Sequence, residues 1–235
     1  NNVTTYLGST RRDLQFFFDA SCTGNSAPQV FVTDSFTLQV GDTLDFNAVG
    51  IDFDPSRDTV IMSIAGDIVG TGSGKATVTI TPGPSQAIMN VRWIPSCSYA
   101  RTAPYFLIIT AKDSICAVTQ KTVYIRVLPK DIILPPNLRC ASVLGDDSIS
   151  LSWVRTTSAS ADFGKYYIYR NLNGGAFALI DAIPARTTQV YLDRNVSLAD
   201  QSNVYGYFMV SVNNCGEAGL TSDTIFSILP LKSLT

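Results

Sequence analysis

Two short stretches restrict this chain more than any others: Ser148-Ile149-Ser150-Leu151-Ser152-Trp153 and, beginning twelve residues after the tryptophan, Lys165-Tyr166-Tyr167-Ile168-Tyr169-Arg170. Each alternates in polarity and is rich in β-branched and aromatic residues, the pattern of a half-buried strand. With a period of two, Ile149, Leu151 and Trp153 share one face. On the second stretch Tyr166, Ile168 and Arg170 point one way, and Tyr167 and Tyr169 the other. A tryptophan facing an aromatic neighbouring strand fills the middle of a small sandwich. Both stretches therefore predict central strands of a β-sandwich.

The same punctuation runs through most of the 235 residues. Strand signals fall at Gln29–Val40, Asp42–Asp52, Thr59–Ile64, Lys75–Thr81, Ala87–Ile94, Pro104–Lys112 and Thr119–Leu128. A second set falls at Asn137–Leu144, Ser148–Val154, Lys165–Asn171, Ala176–Ile183, Thr187–Asp193, Val204–Val212 and Gly219–Leu229. Turn residues separate them, among them Asp54-Pro55-Ser56, Gly70-Thr71-Gly72-Ser73-Gly74 and Asn173-Gly174-Gly175. Seven strands per hundred residues, with no sustained helical period, predict an all-β chain of two tandem Ig-like sandwiches. Residues 27–130 form the first domain and 131–235 the second; residues 1–26 read as the terminal strand or linker of a preceding module. Pro129, Pro135 and Pro136 stiffen the connector, and Ile132, Ile133 and Leu134 within it are too apolar for a free tether.

Composition excludes several functions. Hydrophobic residues make up 46% and charged residues 15%, so the chain is not disordered by charge. A net charge of −2 leaves no electrostatic footprint for nucleic acid or an anionic membrane, and no apolar run is long enough to cross a bilayer. There is no histidine, which removes the usual general base and the commonest metal ligand. No paired acidic site replaces it, and the chain is not expected to be an enzyme. It begins Asn1-Asn2-Val3, which reads as a mature product or an internal piece of something longer.

The residues that define the second block carry a resemblance. Trp153, the Tyr166-x-Ile168-Tyr169-Arg170 strand, Leu198 followed by Tyr205, and Ser222-Asp223-Thr224 are similar to a fibronectin type III domain. The resemblance implies a tyrosine corner, in which the Tyr205 hydroxyl bonds the backbone upstream. Residues 28–128 resemble cadherin-like or PKD-like sandwiches, with Gly41-Asp42-Thr43-Leu44 opening the second strand and Trp93-Ile94-Pro95 closing the fifth. The order of the two, together with the cysteines, is similar to the tandem modules of very large Bacteroidetes surface proteins linked to gliding motility and type IX secretion.

Five cysteines stand at Cys22, Cys97, Cys116, Cys140 and Cys215, none in a Cys-x-x-Cys pair. Two disulfides and one free thiol in an oxidising, extracytoplasmic compartment are expected; five buried, reduced thiols are the alternative. In the fibronectin arrangement Cys140 and Cys215 lie at one end of the second sandwich and can pair. The resemblance suggests Cys97 with Cys116, and Cys22 with Cys116 is the other possibility.

Three further motifs invite chemistry. Asp52, Asp54 and Asp58 crowd one loop and are candidate calcium ligands, because calcium is bound by clustered oxygens; the bland alternative is a turn in which Asp caps its own backbone. Asp42-Thr43-Leu44, Asp58-Thr59-Val60, Asp113-Ser114-Ile115, Asp147-Ser148-Ile149 and Asp223-Thr224-Ile225 resemble the Bacteroidetes O-glycosylation sequon, which makes Thr43, Thr59, Ser114, Ser148 and Thr224 candidate acceptors. The same tripeptides are also ordinary turn-to-strand grammar. The glycine-rich Gly70–Gly74 lacks the spacing and the following helix of a phosphate loop. Tyr99, Tyr105 and Tyr191 are candidates to stack on sugars.

These readings predict a structural or adhesive segment, a stalk or filament repeat, of a large secreted or cell-surface bacterial protein. Its partners are neighbouring modules, other copies or surface glycans, without nucleic acid or membrane insertion. The alternative is a carbohydrate-binding or spacer module of a secreted multidomain enzyme.

Overall fold

A computed structural model describes residues 25–54, 58–113, 118–157, 160–199 and 202–228. Of the stretch 1–26, expected to belong to a preceding module, residues 1–24 lie outside these residues. The chain is all-β and divides into two compact units, the first running to Ser96 and over Arg101–Val127, the second comprising Cys97–Ala100 and everything from Leu128.

The first unit contains β1 (Gln29–Phe31), β2 (Ser35–Gln39), β3 (Leu44–Ile51), β4 (Thr59–Gly66), β5 (Thr77–Thr81), β6 (Gly83–Pro84), β7 (Gln86–Trp93), β8 (Tyr105–Lys112) and β9 (Val118–Leu128). They form two sheets in the orders β1-β3-β7-β5 and β2-β9-β8-β4-β6. Alternation places the side chains: Leu44, Phe46 and Ala48 on β3, and Ala87, Met89, Val91 and Trp93 on β7, are buried. Leu107, Ile109 and Ala111 on β8, and Val123, Ile125 and Val127 on β9, face them from the other sheet. Each fully buried Val, Leu, Ile or Met among them stabilises the fold by about 1.5–3 kcal/mol. The expected single strand Gln29–Val40 is divided. β1 pairs β3 in one sheet, and after Asp34, whose carbonyl accepts the Tyr124 N–H at 2.9 Å, β2 joins β9 in the other.

The second unit contains β10 (Asn137–Val143), β11 (Ile149–Val154), β12 (Phe163–Leu172), β13 (Ala178–Ile183), β14 (Val190–Asp193), β15 (Tyr205–Asn213), β16 (Ala218–Thr221) and β17 (Ile225–Phe226). One sheet runs β10-β11-β14, the other β13-β12-β15-β16, with β17 also on β15. This is the fibronectin type III strand arrangement. Its core holds Ile149, Leu151, Trp153, Tyr166, Ile168, Tyr205, Tyr207 and Met209, as the alternation predicts. The tyrosine corner is present: the Tyr205 hydroxyl accepts the Ser197 N–H at 2.9 Å beside buried Leu198. Asn173 and Gly174 supply the positive φ angles of the turn after β12.

Of the three apolar connector residues, Ile133 alone is buried, while Ile132 and Leu134 are 60% and 55% exposed. The connector lies on the second unit through polar contacts. Ser211 Oγ donates to the Leu134 carbonyl at 2.8 Å, and Lys130 pairs with Asp162 at 2.8 Å.

One feature of the core is polar. Arg170 follows Tyr166 and Ile168 on the inward face of β12 and meets Asp193, which is 1% exposed. Arg170 Nη1 lies 2.9 and 2.8 Å from the two carboxylate oxygens, Tyr207 Oη donates to Oδ2 at 2.9 Å, and the Asn195 N–H donates to Oδ1 at 3.0 Å. Burial opposes the guanidinium charge, but the hydrogen bond and charge of Asp193 outweigh it and raise the Arg170 pKa. Burial first, and then the Asp193 bond, push the Tyr207 hydroxyl far above its ordinary range. An inward arginine needs such a partner, because an unpaired buried charge is costly. Asp193→Asn leaves the guanidinium uncompensated and is expected to lower unfolding free energy by roughly 3–5 kcal/mol. In urea unfolding, the double variant Arg170→Met/Asp193→Leu loses less than the sum of its single substitutions.

Candidate functional site

The acidic loop between β3 and β4 is pinned at its base by Ser85. The Asp52 N–H donates to the Ser85 carbonyl at 2.8 Å, and the Ser85 N–H donates to the Asp58 carbonyl at 3.0 Å. Inside the loop, Asp52 Oδ1 accepts the Asp54 N–H at 2.9 Å, an Asp side chain capping the backbone two residues on. Asp54 is occupied from outside the loop: its two carboxylate oxygens accept the Ser26 N–H and hydroxyl, each at 2.6 Å. Asp113 accepts Asn25 Nδ2 at 2.6 Å. Asp52 Oδ2 is buried without a hydrogen-bond partner. Asp52, Asp54 and Asp58 do not converge, and among the described residues no group of three or more acidic, cysteine or histidine side chains could hold a metal ion. Asp52 and Asp54 accept the Asp54 N–H and the two Ser26 donors, which is the turn reading of the same motif.

Neither the Cys140–Cys215 nor the Cys97–Cys116 pairing is formed. Cys97 is bonded to Cys215, with their Cα atoms 5.5 Å apart. Cys140 is free and exposed. Cys22 and Cys116 lie outside the described residues. Cys97 stands in a 3-10 turn (Cys97–Tyr99) on the long connection from β7 to β8, and Cys97–Ala100 belongs to the second unit, not the first. Cys215 sits in the tight turn from β15 to β16, where Asn213 Oδ1 accepts the N–H groups of Cys215 and Glu217 at 3.0 and 2.9 Å. The pairing of Cys97 with Cys116 assumed that the β7–β8 connection stays with its own sandwich. The pairing of Cys140 with Cys215 is overturned because Cys97, brought to the second unit by its turn, already holds Cys215.

Aromatic side chains were the candidates for stacking on sugars, and the structure employs them internally. Tyr105 is buried, edge-on to Trp93 at 5.6 Å, with the Arg101 guanidinium 3.5 Å from its ring centre. Tyr99 and Tyr191 are half-buried. Burial and the neighbouring Asp181 raise the Tyr191 hydroxyl to about 12. A more continuous set, absent from the sequence expectations, lies on the outward face of β12 and β15. Tyr169 stacks on Phe208 at 4.7 Å and 11°, Phe177 meets Phe208 at 4.7 Å, Tyr167 meets Tyr169 edge-on, and Lys165 Nζ lies 5.4 Å from the Tyr167 ring centre. Tyr169 and Phe208 each give one ring face to the other, and the remaining ring contacts are edge-on. This ladder acts as cross-strand stabilisation, each pair being worth about 0.5–1.5 kcal/mol. The outward period-two positions Tyr167 and Tyr169 were its sequence signal; Phe208 required the register of β12 with β15.

The hydroxyl candidates divide by exposure. Thr43, Thr59 and Thr224 are exposed; Ser148 is half-buried and donates to the Leu144 carbonyl at 2.6 Å; Ser114 lies outside the described residues. The glycine-rich turn is a loop leading into β5. Its Gly74 carbonyl accepts the Trp93 indole N–H at 2.8 Å.

No protein-family model and no curated protein matches the chain. Among solved structures it is similar to titin domains A168–A170, with 13% identity over 86% of this chain and 67% of that one and a TM-score of 0.34. It is also similar to the chicken CNTN1 FN1–FN3 domains, with 13% identity over 86% and 65% and a TM-score of 0.36. Against the tandem Ig repeats of Dlar the identity is 12% over 86% and 96%, with a TM-score of 0.32. The fold assignment rests on the strand orders and registers of this chain.

Two measurements test the site. Hydrogen bonds from the Ser26 hydroxyl and then its N–H hold the Asp54 carboxyl below the usual carboxylate range. These bonds favour the ionised form, so the stability they give is present above that range and fades as pH falls through the lowered value. Carboxyl NMR titration of Ser26→Ala is expected to move Asp54 upward, towards its ordinary midpoint. Peptide mapping of the unreduced chain after alkylation is expected to recover Cys97 joined to Cys215 and Cys140 alkylated.

Proposed function

We propose that this chain is a structural segment of a large secreted or cell-surface bacterial protein, acting as a spacer or adhesive repeat. The observation that carries this reading is the tandem order of two sandwiches, each closed over its own interior, with the intervening connector seated on the second through Lys130–Asp162 and Ser211–Leu134. A connector held along a module is suited to spacing. The disulfide is consistent with an oxidising compartment. The resemblance to gliding-associated modules of Bacteroidetes supports that setting, with neighbouring modules, other copies or surface glycans as partners. Exposed Thr43, Thr59 and Thr224 are the acceptors for glycans in it.

An antibody raised against the folded chain is expected to decorate intact, unpermeabilised cells of the producing bacterium, and brief external protease treatment is expected to remove the signal. Labelling that appears only after permeabilisation would overturn the surface reading.

A further inference from the structure

We infer that the Cys97–Cys215 disulfide is a covalent stop that limits how far the chain can be drawn out and shields the core of the second sandwich from tension. The relevance of tension rests on the spacer reading above; the stop itself does not. The bond joins positions 118 residues apart. The core residues of the second unit, from Leu138 to Met209, fall between those positions. So do β8, β9 and β10 to β15. Force entering ahead of Cys97 and leaving after Cys215 passes along the backbone only through the sulfur bridge, and the enclosed strands are loaded solely through their pairing with β2, β4, β16 and β17 until those peel away. In the second unit only β16 and β17 remain in the loaded path, outside the loop.

The anchorage suits that load. Cys215 is held in its turn by Asn213, whose side chain also donates to Glu217 at 2.9 Å and whose own N–H donates to the Glu217 carbonyl at 3.0 Å. The first sandwich has no such shelter: β1 to β7 precede Cys97 and stand in the path, while β8 and β9 lie inside the loop. Pulling therefore unravels the first sandwich and peels β16 and β17, and there the extension halts. Cys97 is exposed, which leaves the bond open to reductant in the folded chain.

The test is single-molecule extension of the full chain held at its two ends, with Cys22, Cys116 and Cys140 changed to Ser so that only this pair can bond. A separation of 118 residues at about 3.3–3.6 Å per residue makes the fully extended chain roughly 40 nm longer with reductant than without it. Cys97→Ser in the same background shows the longer length in both conditions. Equal lengths with and without reductant in the unsubstituted pair would overturn the stop. If the triple substitution does not fold, the native chain is cleaved after Lys130 in urea. The two halves are expected to migrate together until reductant is added, and separation without reductant overturns the inference. Absence of surface labelling would sink the spacer reading while leaving the 40 nm difference standing, whereas a missing difference would remove the stop wherever the protein resides.

Discussion

Both sandwiches are held closed by one device, a buried tryptophan from one sheet set edge-on to a tyrosine from the other. Trp153 on β11 meets Tyr166 on β12 at 6.0 Å and 74°; Trp93 on β7 meets Tyr105 on β8 at 5.6 Å and 73°. Edge-to-face geometry matches the positive ring edge to the negative face, and the large ring areas fill the space between sheets. The two differ in their polar ends. The Trp93 indole N–H reaches the Gly74 carbonyl, while the Trp153 indole N–H is buried without a partner. The second sandwich tolerates that cost beside a fully satisfied Asp193 network, which ties β12, β14 and β15 from within.

The period-two pattern made most of this legible. Ile149, Leu151 and Trp153 are all buried, as are Tyr166 and Ile168, because one face of a strand must be covered and alternation admits no other choice. The tyrosine corner followed from the position of Tyr205 relative to Leu198. Strand ends were legible wherever glycine, proline or aspartate interrupted the pattern.

What was not legible depends on pairings that no local pattern encodes. Gln29–Val40 reads as one strand because its polarity barely changes, although the chain changes sheets near Asp34. The last strand divides for a similar reason at Ser222, whose hydroxyl accepts the Met209 N–H in place of a ladder bond. Arg170 lay in plain view on an inward position, but its partner Asp193 comes from the other sheet, 23 residues on. The cysteines illustrate the same limit: nothing in the spacing around Cys97 says that its turn belongs to the second unit. In the acidic loop, the decisive donor was Ser26, 28 residues away from Asp54.

The change of sheet between β1 and β2 has a mechanical corollary for the first sandwich. A single short segment is stitched to β3 on one side and to β9 on the other. Sliding one layer over its neighbour by a single residue pair would have to shear both seams at once. The two layers are thereby coupled into one cooperative body, and the seam that couples them is its opening strand.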